Sequence, residues 1–204
     1  MKNKYLASVC VFWVLMAIVG CTGSHDTPVP RPRGYFRIQL PDTGVQNVLT
    51  PWSMLLPVST HTRISYPHDS VATDARSQWL NIDYPMLNAT VYCTYHTNPQ
   101  RTKLLDAISN RYERIALNAR SGKMPQVILL QDTILGITHQ VFFSERNNVV
   151  PFQFLSTDSA TFLFSGAAYF HGNMNPDSIA PAIDIVEADL LNMLQNLKLH
   201  GNSN

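Results

Sequence analysis

The chain has 204 residues, 15 basic and 14 acidic, and only 14% of its residues are charged. That length suits one domain with a sizeable core rather than two. The near-neutral balance, with no basic stripe, excludes nucleic acid as a partner.

Lys2 and Lys4 open the chain, Leu6 to Val19 form an apolar run, and Ile18-Val19-Gly20-Cys21 closes it with small residues before a cysteine. This segment resembles a bacterial lipoprotein signal peptide, with residues 1–20 removed and Cys21 carrying the lipid. The run is shorter than the roughly 20 apolar residues that a spanning helix needs. The expectation is an exported chain held to a bilayer through Cys21. Cys10 leaves with the signal, so Cys93 remains alone and no intramolecular disulfide can form. In a strand, Cys93 shares a face with Ala89, Val91 and Tyr95, which predicts a buried thiol. Residues 21–33 read as a tether, in which Pro28, Pro30 and Pro32 favour extended polyproline-like geometry.

Residues 34–200 read as a single α+β domain. Tyr35 to Leu40, Arg63 to Tyr66, Trp79 to Tyr84 and Ala89 to His96 are short, rich in β-branched and aromatic residues, and predict strands. Leu104, Leu105, Ile108, Tyr112, Ile115 and Ala119 recur at helical spacing and predict a helix over 101–121, with Asn98 as its cap and Gly122 at its end. Gln126 to Gln131 and Ile137 to Phe143 predict a hairpin across Asp132 to Gly136. Phe152 to Ser156 and Thr161 to Phe170 predict another, turning at Thr157-Asp158-Ser159. The chain closes on a helix over 178–199, with Ile179, Ile183, Val186, Leu190, Met193, Leu194 and Leu197 on one face and Lys198 and His200 at its C-terminal end. Together these predict a mostly antiparallel sheet covered by two helices, a topology similar to the PsbP and Mog1 type of sandwich.

Chemistry leaves little trace. The sequence has no His-Glu-x-x-His, Cys-x-x-Cys, Gly-x-Ser-x-Gly or Gly-x-Gly-x-x-Gly. Its seven histidines are scattered, with no pair at ligand spacing on one element, so neither metal nor cofactor is expected. Asp158 beside Ser159 and Asp177 beside Ser178 sit in turn-like settings, where carboxylates cap backbone N–H groups. Asp158-Ser159-Ala160, Asp177-Ser178-Ile179, Asp69-Ser70-Val71 and Asp132-Thr133-Ile134 also resemble the Asp-Ser/Thr-aliphatic acceptor triplet of protein O-glycosylation in Bacteroidetes.

Several blocks, taken in order behind the lipobox, carry a resemblance. Pro32-Arg33-Gly34-Tyr35-Phe36-Arg37-Ile38 is followed by Trp79-Leu80-Asn81-Ile82 and by Tyr84-Pro85. Gln153-Phe154-Leu155-Ser156-Thr157-Asp158-Ser159 leads to Gly166-Ala167-Ala168-Tyr169-Phe170, and then to Asn175-Pro176-Asp177-Ser178-Ile179. Over nearly all of the mature chain the sequence resembles the gliding-motility lipoprotein GldD family of Bacteroidetes; Thr43 to Thr60 departs from that pattern. The resemblance implies an accessory lipoprotein for gliding and type IX secretion without established catalytic activity. Its implied location is the periplasmic face of the outer membrane. Its implied partners are other envelope lipoproteins and membrane components of that machinery, besides the bilayer itself. It also marks Arg33, Gly34, Tyr35, Phe36, Arg37, Trp79, Asn81, Thr157, Asp158, Ser159, Asn175, Asp177 and Ser178 as binding or structural positions. Arg33 and Arg37 are expected near a polar surface, on a segment, Gly34 to Ile38, that joins the sheet. The alternative is an exported enzyme or ligand-binding lipoprotein acting on envelope glycans, which would require convergent polar side chains in one deep pocket.

Overall fold

The computed structural model describes residues 38–40, 44–67, 77–97, 100–118, 125–145, 148–172 and 176–199. Their order is β1 (Val45–Leu49), β2 (Met54–Ser59), β3 (Arg63–Ser65), β4 (Ser77–Tyr84), a 3-10 turn (Pro85–Leu87), β5 (Ala89–Thr97), α1 (Arg101–Asn118), β6 (Gln126–Asp132), β7 (Ile137–Phe143), β8 (Phe152–Thr157), β9 (Phe162–Phe170), α2 (Pro176–Asn196) and β10 (Lys198–Leu199). Seven strands form one sheet in the order β3-β4-β5-β9-β8-β7-β6, and β1-β2-β10 form a second. Every strand pairing among the described residues is antiparallel. The class is therefore α+β, as the alternation of apolar residues predicts.

The large sheet consists of two meanders, β3-β4-β5 and β6-β7-β8-β9, joined where β9 returns to β5. That seam runs from Ala89↔Phe170 to Thr97↔Phe162. Successive side chains of a strand point to opposite faces, and both faces are used. On one, Leu80, Ile82, Val91, Cys93, Val141, Phe152, Phe154 and Phe164 join Met54, Leu56 and Val58 of β2 and Ile183, Val186, Leu190, Met193 and Leu194 of α2 in a single core. On the other, Leu104 and Ile115 of α1 pack on Phe142, Leu155 and Leu163. Burial pushes the Cys93 thiol up to about 12, despite some opposition from Arg111, so it stays protonated and inert.

Three local predictions need correction. Of the expected strand over 35–40 only Ile38 to Leu40 are described; Ile38 and Leu40 pack on the core, but the segment lies outside any strand. Alternation there records one-sided burial without a ladder partner. The last helix stops at Asn196 rather than 199. Asn196 Nδ2 donates to the Asn192 carbonyl at 2.9 Å and to Asn192 Oδ1 at 3.0 Å, tying the last turn to itself. Leu197 then turns into the core, and Lys198 and Leu199 pair with Leu55 and Met54, so Lys198 is a strand residue and not a helix-end charge. Finally, β1 and β2 occupy the stretch that showed no strand pattern. Val-Gln-Asn-Val-Leu alternates weakly, and Pro57 argues against a strand. It fits because β10 pairs only with Met54 and Leu55, leaving Pro57 with β1 as its one neighbour.

Gly166 is where the seam is tightest. A Cβ there would overlap Phe154 Cε1, with Cζ at 2.7 Å and Cys93 Sγ at 3.1 Å. Gly166→Ala should therefore lower stability by about 1–3 kcal/mol, the usual cost of overpacking, in a urea titration. It should also expose Cys93 to Ellman's reagent, which the wild-type chain resists. An equally stable, equally protected variant would show that the seam has slack.

Candidate interaction surface

The path of α1 decides which part of the sheet stays open. Leaving β5, α1 packs over β9, β8 and β7 on the way to the outer strand β6, so among the described residues no helix packs on its face of β3 and β4. In register on that face stand Trp79 opposite Thr94, Asn81 opposite Tyr92, Asp83 opposite Thr90, and Thr90 opposite Tyr169. Trp79 is 41% and Tyr92 46% exposed, and Tyr92 meets Tyr169 edge to face at 5.4 Å. Aromatic side chains of this kind are enriched at protein interfaces.

The rim of this surface is polar and tied down. Asp83 accepts hydrogen bonds from Ser65 Oγ at 2.9 Å and Thr90 Oγ1 at 3.0 Å, and His171 Nε2 lies 3.0 Å from Thr90 Oγ1. Thr90 has one hydroxyl proton and gives it to Asp83, so His171 Nε2–H must donate to Thr90. That direction is wrong for a nucleophile, whose proton has to pass to a base. On the helix side, Arg111 Nη2 donates to the Gly166 carbonyl at 2.9 Å, while its buried Nε finds no acceptor. Burial lowers the Arg111 pKa, against an opposing influence from Tyr169 and Cys93. No carboxylate pairs with Arg111 among the described residues.

Two other constellations bring a histidine against a polar partner. His139 Nδ1 lies 2.8 Å from Ser156 Oγ, and burial lowers the His139 pKa against the pull of Asp132. Ser156 is fully buried, and the Asp132 carboxylate is already engaged by the N–H groups of Ile134 and Leu135 at 2.9 Å. His61 Nε2 and Asp189 Oδ2 are 3.0 Å apart but misaligned for a hydrogen bond, and link the turn after β2 to α2. Among the described residues no three His, Cys, Asp or Glu side chains could hold a metal, and no helix is long and apolar enough to cross a membrane.

The residues singled out from sequence separate into distinct places. Trp79 and Asn81 lie together on the open face. Thr157, Asp158 and Ser159 form the β8–β9 turn at the far end of the seam, where Ser159 has φ of +60°. Asp158 Oδ1 accepts from the N–H groups of Ala160 at 3.0 Å, Thr161 at 2.8 Å and Phe162 at 3.2 Å, and Thr161 Oγ1 donates to Oδ2. Thr157 Oγ1 donates to the Phe162 carbonyl at 2.6 Å and accepts from Ser159 N–H at 2.9 Å. Cys21, Arg33, Gly34, Tyr35, Phe36, Arg37 and Asn175 lie outside the described residues, as do the side chains of Asp177 and Ser178, although α2 begins at Pro176. Tyr92, Asp83, Tyr169 and Arg111 were missed as a surface. A signal existed: Tyr92 sits on the face of its strand opposite Val91 and Cys93, and Arg111 is a cation inside an otherwise apolar stripe.

The model for the gliding motility lipoprotein GldD family matches residues 25–199. The chain belongs to that family. Neither a curated protein nor a solved structure gives a significant match. The GldD family is one of lipoproteins associated with gliding motility, and its match covers every element of the fold, including β1 and β2 in the stretch where the sequence departs from the family pattern.

The Asp158 turn yields a graded expectation. Partial burial works to raise the Asp158 pKa, but the hydrogen bonds from Thr161, Ala160 and Phe162 outweigh it and hold the carboxyl below its ordinary 3.8. Ionised Asp158 thus stabilises the fold fully above that ordinary value, and the contribution is lost as pH falls through the lower folded one. Asp158→Ala should cost ~1 kcal/mol, as loss of a backbone cap does, and Asp158→Asn less, because it keeps one acceptor oxygen. In thermal melts at successive pH values, the gap between wild type and Asp158→Asn should narrow in acid. A gap independent of pH would show that the charge is immaterial.

Proposed function

We propose that this GldD-family chain is a non-catalytic, lipid-anchored envelope protein that supports the gliding and type IX secretion machinery through protein–protein contacts. The observation that carries this reading is the open face of β4 and β5, which presents Trp79, Asn81 and Tyr92, with Tyr92 meeting Tyr169 and Arg111 held at Gly166 without a carboxylate partner among the described residues. Aromatic and Arg side chains together are the composition of interface anchors, not of a proton-transfer site. The rim supports it too, since its hydroxyl, imidazole and carboxylate groups satisfy one another.

In the same proposal the chain is anchored at Cys21, on the periplasmic face of the outer membrane. Trp79→Ala combined with Tyr92→Ala should leave melting temperature and cellular abundance close to the wild-type range, because neither side chain belongs to a buried core cluster. Secretion of a type IX cargo should fall sharply. Normal secretion from a normally abundant double variant would remove this face from the function. The same rings flanked by Asn81 and Asp83 would also suit a sugar, and Trp79-dependent binding of purified envelope polysaccharide would favour that second reading.

Anchoring is tested separately. Cys21→Ala should abolish incorporation of labelled palmitate and leave a precursor that retains its signal, since the lipoprotein peptidase acts on the lipidated cysteine. Undiminished label would refute the anchor.

A further inference from the structure

The opposite end of the sheet is built differently from the aromatic face. β6, Gln126–Asp132, is its outer strand, and among the described residues nothing pairs with its free edge. Outer strands are usually short, charged, broken by proline or covered, because their unpaired N–H and C=O groups invite another strand. β6 has none of these protections over its first six residues, Gln-Val-Ile-Leu-Leu-Gln, and it exposes Val127 by 51% and Leu129 by 62%. The strand at the other end, β3, has only three residues and begins with an exposed arginine.

Beside this edge the surface is grooved. Gln126, Ile128, Leu130 and Asp132 share the side of β6 that looks toward α2. Two clefts lie along that side. One, of about 300 Å³, is lined by Gln126, Ile128, Phe143, Ser144, Ile183 and Glu187; the other, of about 450 Å³, by Leu130, Asp132, Ile134, His139 and Gln195. Each runs from β6 to α2, the first near the start of the strand and the second near its end. Their centres are some four residues apart along the strand, roughly 13 Å at strand rise. Ser144 Oγ, on the first cleft, is buried without a hydrogen-bond partner.

We infer that the groove between β6 and α2 receives an extended segment of another protein as an added strand. The segment would lie against β6 with apolar side chains four residues apart entering the two clefts. An edge without a partner demands main-chain hydrogen bonds, which only an extended chain supplies along its whole length, and alternate side chains then select the sequence. Among the described residues the second cleft carries Asp132 and neither lysine nor arginine in its lining, so the fitting segment is neutral or basic. The inference rests on the reading that the protein works through protein contacts and adds the chemistry of one partner.

The test uses the full lipidated chain in detergent and a fluorescein-labelled nonapeptide, Lys-Val-Thr-Val-Thr-Val-Thr-Val-Lys. Fluorescence anisotropy should show saturable one-to-one binding. Replacing the central threonine of the peptide by proline should weaken it about tenfold or more, because proline cannot continue the ladder. Scrambling the peptide to group its valines should do the same. Ile128→Glu should weaken binding at least as much while keeping the wild-type melting temperature. If that variant fails to fold, Leu129→Lys, at an exposed residue on the lining of the second cleft, provides a second variant that crowds the edge with charge. No saturable binding, or binding indifferent to proline and to either variant, overturns the inference. So does a dimer in sedimentation that Leu129→Lys dissolves, since it would identify the occupant as a second copy. A negative result here with secretion still lost on Trp79→Ala and Tyr92→Ala would remove the added strand and leave the protein-contact reading standing.

Discussion

The fold depends on the seam between β5 and β9. Each meander taken alone is a small antiparallel sheet with an unpaired edge, and only their pairing from Ala89↔Phe170 to Thr97↔Phe162 produces a sheet broad enough to bury apolar side chains on both faces. The seam tolerates no bulk at its middle, where Gly166 opposes Cys93 and Phe154 fills the space a side chain would need. The same Gly166 carbonyl receives Arg111, so the helix on the outer face is tied to the sheet at the point where the core is densest.

Joining two meanders in this way also creates the two contrasting surfaces. The single crossover between them is α1, and a helix of 18 residues, about 27 Å long, cannot cover a seven-stranded face. What remains uncovered is the side of β3, β4 and β5 with Trp79 and Tyr92. What remains unpaired is β6, which the crossover reaches last. One surface offers side chains and the other offers backbone, so they suit different partners and could be occupied together.

Much of this was legible in the residues. Period-two alternation located β4, β5, β7, β8 and β9 to within a residue or two, because each has at least one face fully committed to a core. The stripe of α2 was equally clear, with five of its predicted apolar residues buried in a single cluster from Ile183 to Leu194. The small sheet was not legible. Its first strand has only two inward-facing side chains, its second contains Pro57, and its third has two residues whose state is set by Met54 and Leu55, far away in sequence. The candidate surface was half legible for a related reason: Trp79 and Asn81 belonged to a recognisable block, whereas Arg111 and Tyr169 become neighbours of Tyr92 only through the seam.

The pairing of β10 with β2 has a consequence for the order of events in the cell. Lys198 must find Leu55, and Ala89 must find Phe170, so the small sheet and the central join both wait for distant parts of the chain. Non-local pairing of this kind slows folding and leaves apolar strands uncovered meanwhile. Under the proposed export, a chain delivered amino-terminus first emerges as a string of open edges, and residues 198 and 199 are needed before the small sheet is complete. The lipid proposed at Cys21 would already be in the bilayer while residues 54–59 still lack their final neighbour. For that interval Met54 and Leu55 have no partner on the side that Lys198 and Leu199 later fill.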